Sequence, residues 1–202
     1  ITDDLDACAD SPEGDTVGDS GCHVDTLYLG ANGVTIKASA NATIGESYDL
    51  DGVSYLVVDS TMLYDMVAAE EDITKVVTTI VTNMRKLFYL TTFNNQDIGS
   101  WDVSNVTNMA LMFYGSGFNQ DISNWDVNNV TDMQGMFVDI EDFNQNISSW
   151  DVSNVRNMMD MFWKADDFNQ DLSSWNVSNV TDCRSFSKDA TAWTEPKPTF
   201  TS

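Results

Sequence analysis

One phrase recurs along most of this chain at intervals of about 25 residues, and it constrains the fold more than any other feature. Its tryptophan falls at Trp101, Trp125, Trp150 and Trp175, and a methionine falls at Met84, Met109, Met133 and Met158, with Cys183 in the fifth slot. A unit this short cannot bury its apolar face alone and is stable only when stacked on neighbours. The period therefore predicts a solenoid. Within each unit, Trp-x-Val-x-x-Val-Thr-x-Met is rich in β-branched residues and predicts a short parallel β ladder. Met-x-x-Met-Phe follows with apolar side chains at i, i+3 and i+4, the spacing of one helical turn facing inward. Phe118, Phe143 and Phe168 then return to the core, and Ile122, Ile147 and Leu172 close the unit.

The chain before the repeats has a different texture. Short apolar runs at Leu27-Tyr28-Leu29, Val34-Thr35-Ile36 and Val53 to Val58 are broken at Asn32-Gly33 and Asp51-Gly52, dipeptides that favour tight hairpins. Ser60 or Thr61 is then placed to cap a helix running to about Glu70, with Met62, Met66 and Val67 on one face. A β unit plus a helix just before the first repeat reads as a cap over the apolar end of the stack. The expected organisation is an acidic linker over residues 1–22, a β/α capping module over 23–75, repeats over 76–185 and a C-terminal cap over 186–202. Pro196 and Pro198 in that last segment cannot donate to a further strand.

Charge narrows the classes of partner. The 202 residues carry 32 acidic against 9 basic side chains, a net charge of -23. Such a surface repels nucleic acid and anionic membranes, and no stretch is long and apolar enough for a membrane span, so neither nucleic-acid binding nor membrane insertion is expected. Cys8 and Cys22 flank a Pro/Gly/Asp-rich loop and read as a disulfide worth about 3 kcal/mol, which implies an oxidising, extracytoplasmic location. Cys183, in a core methionine slot, reads as a buried free thiol.

Two resemblances follow from these residues. Asp3-x-x-Asp6-x-Cys8, then Ser-Pro-Glu-Gly, then Asp19-Ser-Gly-Cys22, resembles the tail of the thrombospondin type 3-like calcium repeats, although the upstream Asp-x-Asp-x-Asp-Gly stretch is missing. That resemblance implies calcium as a cofactor, with Asp3 and Asp6 supplying part of an oxygen set; an acidic linker without an ion is the alternative. The repeats, in which Phe-Asn-Gln-x-Ile-x-x-Trp-Asp-Val-Ser-Asn-Val-Thr-x-Met-x-x-Met-Phe recurs, resemble the BspA-like leucine-rich repeats of bacterial surface proteins. The fold class so implied is a leucine-rich-repeat-like solenoid, a short parallel β ladder plus short helical turns, with a small α/β N-terminal cap. The family is linked to attachment at cell and matrix surfaces and has no common catalytic residues.

Candidate functional positions are those not absorbed by the repeat. The Asn and Gln that follow each core Phe, the Ser-Asn before each Val-Thr and the Asp102, Asp126 and Asp151 series all read first as turn and backbone chemistry. Tyr89, Tyr114, Val138 and Trp163, each following an inward Phe, are expected to point outward as a mostly aromatic stripe. With Arg156 and Lys164 beside it, the stripe is the expected contact surface for a protein or glycan at a cell or matrix surface; packing against loops of the next unit is the competing reading. A structural subunit or spacer that self-assembles is the alternative function. An enzyme is not expected, because the single histidine, His23, lies beside the linker and no nucleophile or phosphate-loop motif occurs.

Overall fold

The computed structural model describes residues 25–92 and 95–200. The expected ion ligands Asp3 and Asp6 and the expected disulfide partners Cys8 and Cys22 lie outside the described residues.

Regular secondary structure is confined to the N-terminal part. Strands β1 (Leu27–Leu29) and β2 (Ile36–Ala38) form one antiparallel pair. Strands β3 (Ser47–Leu50) and β4 (Val53–Val57) form a second, and β5 (Val76–Val77) adds to β4 in parallel. The β3–β4 turn holds Asp51 at φ 54° and Gly52 at φ 82°, the two left-handed residues that a two-residue primed turn requires. Helix α1 (Ser60–Ala68) begins one residue earlier than its sequence suggests, because the Asp59 carboxylate accepts the Met62 N–H and acts as the cap. Its buried face is Leu63 and Val67, while Met62 and Met66 pack half-buried at its margin.

The repeat region corrects the expected fold class, a leucine-rich-repeat-like solenoid of parallel ladder and helical turns. Among the described residues the regular elements are two small sheets and the single helix α1, and of these only the two-residue β5 falls within the expected repeat region, at its very start. The expected parallel ladder shrinks to isolated one-residue bridges, Asn83 to Asn108, Asn108 to Asp132, Asp132 to Asn157 and Asn157 to Asp182. The expected helical turn is replaced by tight turns, and backbone sign gives the reason. Counted from Met84, Met109, Met133, Met158 and Cys183, each turn segment carries left-handed residues at its third and seventh positions: Lys86 and Leu90, Leu111 and Gly115, Gly135 and Asp139, Asp160 and Lys164, Ser185 and Asp189. A left-handed residue cannot sit inside a right-handed helix, so the i, i+3, i+4 spacing reaches the core without one.

These turns spend their amides alternately. Met84, Lys86, Phe88 and Leu90 donate to carbonyls of Asn108, Ala110, Met112 and Tyr114 in the following unit, at 2.8 to 3.0 Å. The intervening Leu87 and Tyr89 donate three residues back, to Met84 and Lys86. Backbone groups of neighbouring units are thus paired without either standard element.

Side chains continue the stacking in columns. Phe88, Phe113, Phe137 and Phe162 lie with successive centroids 5.4, 5.6 and 5.3 Å apart, and Phe118, Phe143 and Phe168 at 6.3 and 6.0 Å. The indole N–H of Trp125 donates to Ile98, of Trp150 to Ile122 and of Trp175 to Ile147, so each Trp ties its unit to the one before. Asn and Gln tie them again: Gln145 Nε2 donates to the Asn119 side chain at 2.8 Å and Gln170 Nε2 to that of Asn144 at 2.8 Å. One hydrophobic core runs from α1 to Trp193.

Candidate functional site

What the stack leaves over is small. The Asp series caps turns, since Asp126 Oδ1 accepts the Asn128 N–H and Asp151 Oδ1 the Ser153 N–H. The hydroxyl and amide of Ser153 hold the Asp151 carboxyl below the usual carboxylate range. Asn105, Asn129, Asn154 and Asn179 each donate to a carbonyl of the preceding unit. These recurring polar residues are occupied within the architecture.

The aromatic column is only partly used. Tyr89 and Tyr114 stack with ring centroids 4.8 Å apart, and the Lys86 ammonium sits 4.9 Å above the Tyr89 ring. Tyr89 is 36% exposed and the adjoining Leu90 58%, while Tyr114 is half-buried. Val138, next in the column, is buried at 3% and breaks it. Trp163 resumes it, half-buried, with the Lys164 and Lys188 ammonium groups each 5.7 Å from its ring and its indole N–H donated to Asp189 Oδ2 at 3.1 Å. Two aromatic-cationic patches therefore stand where one stripe was expected, and a cation over an aromatic face is a recurrent recognition element. Arg156 belongs to a different column, that of Thr82, Thr107, Thr131 and Thr181, and its N–H and carbonyl continue that column's bonds. Lys188 escaped the sequence reading, although continuing the Trp163 column by one more period reaches it.

A second feature was not legible in the sequence. The β1–β2 hairpin docks onto the first units through Ile36 N–H to the Ser100 carbonyl and Ala38 N–H to Thr79 Oγ1. It places Lys37 Nζ 3.3 Å from Asp102 Oδ1, and that side chain is only 1% exposed. Ser104 donates to the same oxygen through Oγ at 2.6 Å and through its N–H at 3.1 Å, while the buried Oδ2 has no partner among the described residues. A cleft of about 290 Å³ adjoins this pair, lined by Asn32, Thr35, Trp101 and Asp126 among others. Its character is that of a clamp between hairpin and stack. Among the described residues, no group of three or more His, Cys, Asp or Glu side chains is placed to hold a metal ion, and Cys183 is free and half-buried rather than buried.

A family model described as "Mycoplasma protein of unknown function, DUF285" matches residues 57–139 and 90–200. Together these matches span most of the chain, including every unit of the stack. The chain belongs to that family. The first DUF285 match begins in β4 and includes α1, so the helix lies inside the family's own boundary and the first hairpin outside it. No curated protein and no solved structure matches this DUF285 chain.

Proposed function

We propose that this protein is an interaction module that works at a cell or matrix surface, contacting a protein or glycan through its aromatic-cationic patches. The observation that carries the reading is the Tyr89–Tyr114 stack, with Lys86 over an exposed Tyr89 and a half-buried Tyr114 beside it, while most other recurring side chains are consumed by the stack. Rigid aromatic faces contribute contact area at small entropic cost. The resemblance to BspA-like surface repeats supports the same reading, and with it an extracellular location. The net charge of -23 favours partners that are neutral or basic.

The test is the double substitution Tyr114→Ser with Trp163→Ser, assayed on an array of glycans and of collagen and fibronectin. Binding that the unaltered protein shows should disappear while the melting temperature stays nearly unchanged, because both rings are half-buried at the rim and neither belongs to the buried core. Retained binding, or a large fall in melting temperature, sinks the assignment of these rings.

A further inference from the structure

Asp102 is set apart from its column by what covers it. Asp126 and Asp151 cap turns in the open, whereas the β1–β2 hairpin closes over the unit that carries Asp102. The hairpin is fastened to the stack at two further side chains: Lys37 Nζ reaches Asp102 Oδ1 and Ser104 Oγ, and Asn32 Nδ2 donates to the Asn124 carbonyl at 3.4 Å. Asn32, Lys37 and Asp102 all line the cleft of about 290 Å³, so both fastenings frame it. The DUF285 match begins at residue 57, beyond the hairpin, and the cleft is therefore built from the family's repeats on one side and from residues outside the family boundary on the other.

The polar groups of this cleft are only partly used. The Asp102 side chain is 1% exposed, and among the described residues its buried Oδ2 has no donor. A buried carboxylate oxygen without a donor is unfavourable, and a ligand that brings one removes that cost. Asp126 accepts the Asn128 N–H through Oδ1, which leaves its second oxygen. Thr35 Oγ1 accepts from Asn32 Nδ2 at 2.8 Å, which leaves its own O–H to donate. Lys37 commits two of its three N–H groups, to Asp102 and Ser104. Two acceptors and two donors thus line one cleft, beside an apolar wall of Ala31, Trp101 and Val103.

This mixture selects the chemistry of the ligand. A metal ion or an organic cation meets the Lys37 ammonium, and an anion meets two carboxylates in a chain of net charge -23. A neutral ligand bearing several hydroxyl groups satisfies all four positions, because each hydroxyl both donates and accepts. Pockets for drug-sized ligands run from about 300 to 1,000 Å³, so this cleft takes one sugar ring rather than a longer chain. We propose that the hairpin cleft binds a single residue of a neutral saccharide, whose hydroxyls donate to Asp102 Oδ2 and Asp126 and accept from Lys37 and Thr35. A rotamer shift of the long Lys37 side chain, 27% exposed, admits the ligand to Oδ2. The site is separate from the aromatic-cationic patches and does not rest on them.

The probes are D-glucose, D-galactose, D-mannose and N-acetyl-D-glucosamine, each titrated against the full chain by saturation-transfer NMR. At least one should bind saturably in the millimolar range. Ala31→Trp, at an exposed position of the hairpin turn, fills the cleft with the clamp left in place. It should abolish the signal without lowering the melting temperature. Asp102→Asn, which removes the charge on the free acceptor, should weaken binding roughly tenfold; if that variant does not fold, Ala31→Trp decides alone. Tyr114→Ser with Trp163→Ser should leave sugar binding unchanged, so this site and the aromatic patches stand or fall separately. No saturable binding by any of the four sugars, or equal binding by Ala31→Trp, overturns the proposal. Tighter binding of methylguanidine than of any sugar also overturns it, because that result assigns the cleft to a basic side chain of a partner protein.

Discussion

At the scale of single residues the chain separates recurring side chains with structural duties from exceptions with local ones. Asp102 shows the difference. It shares a column with Asp126 and Asp151, which are exposed turn caps, yet it alone is buried, under Lys37 from β2. Removing one partner of a buried pair strands the other charge, at a cost of about 3 kcal/mol. Lys37→Met should therefore lower unfolding free energy by about that amount in urea titrations. Adding Asp102→Asn should recover much of the loss, since the stranded charge is then gone. Equal stability of the single variant and the unaltered protein would show that the clamp contributes nothing. No sequence pattern pointed to this pair, because the partners are far apart in the chain and only the docking of the hairpin joins them.

At the scale of elements, left-handed turns replace the expected helical turns. The inward spacing of Met109, Met112 and Phe113 reads as helical because both geometries send those positions to the core, where all three are buried. The sign of φ at Leu111 and Asp160 is what a periodicity cannot express; glycine at Gly115 and Gly135 is its only local hint. Gly135 has a second constraint: an added Cβ would lie 2.7 Å from Leu111 Cδ2 and 3.2 Å from Val138 Cγ2. Gly135→Val adds a β-branched left-handed residue to that crowding and should cost about 2 kcal/mol or more. Asp160→Gly, at the equivalent position of the next unit, should be neutral to slightly stabilising. Thermal melts of both proteins decide the matter, and similar effects from the two changes would refute the strain argument.

At the scale of the whole molecule, charge and acid lability pull in opposite directions. A net charge of -23 on a single stack is self-repulsive at neutral pH, so raising salt from low to physiological strength should raise the melting temperature. Hydrogen bonds act the other way on selected carboxylates. The Thr74 hydroxyl and N–H hold Asp72 below its ordinary value of 3.8, and the Arg184 side chain and N–H do the same for Asp182. A carboxyl depressed in the folded state contributes stability above its unfolded pKa and loses it as pH falls through the folded one. Melting temperature should accordingly drop as pH is taken below 3.8, and Thr74→Val should shallow that limb. A limb of unchanged steepness would remove Asp72 from the account.

The sequence by itself determined that units of about 25 residues stack, which side chains face inward and which polar residues recur, because burial selects residue type at each position of the period. It also marked the β3–β4 turn and α1 through local chemistry at Asp51-Gly52 and in the segment after Asp59. Only the tertiary structure decided the backbone sign of the turns, the break in the aromatic column at Val138 and the Lys37–Asp102 clamp. The physical reason is common to all three: each depends on which backbone or side-chain groups of distant segments meet. A repeat period specifies what recurs within a unit but not how neighbouring units and the flanking hairpin meet it.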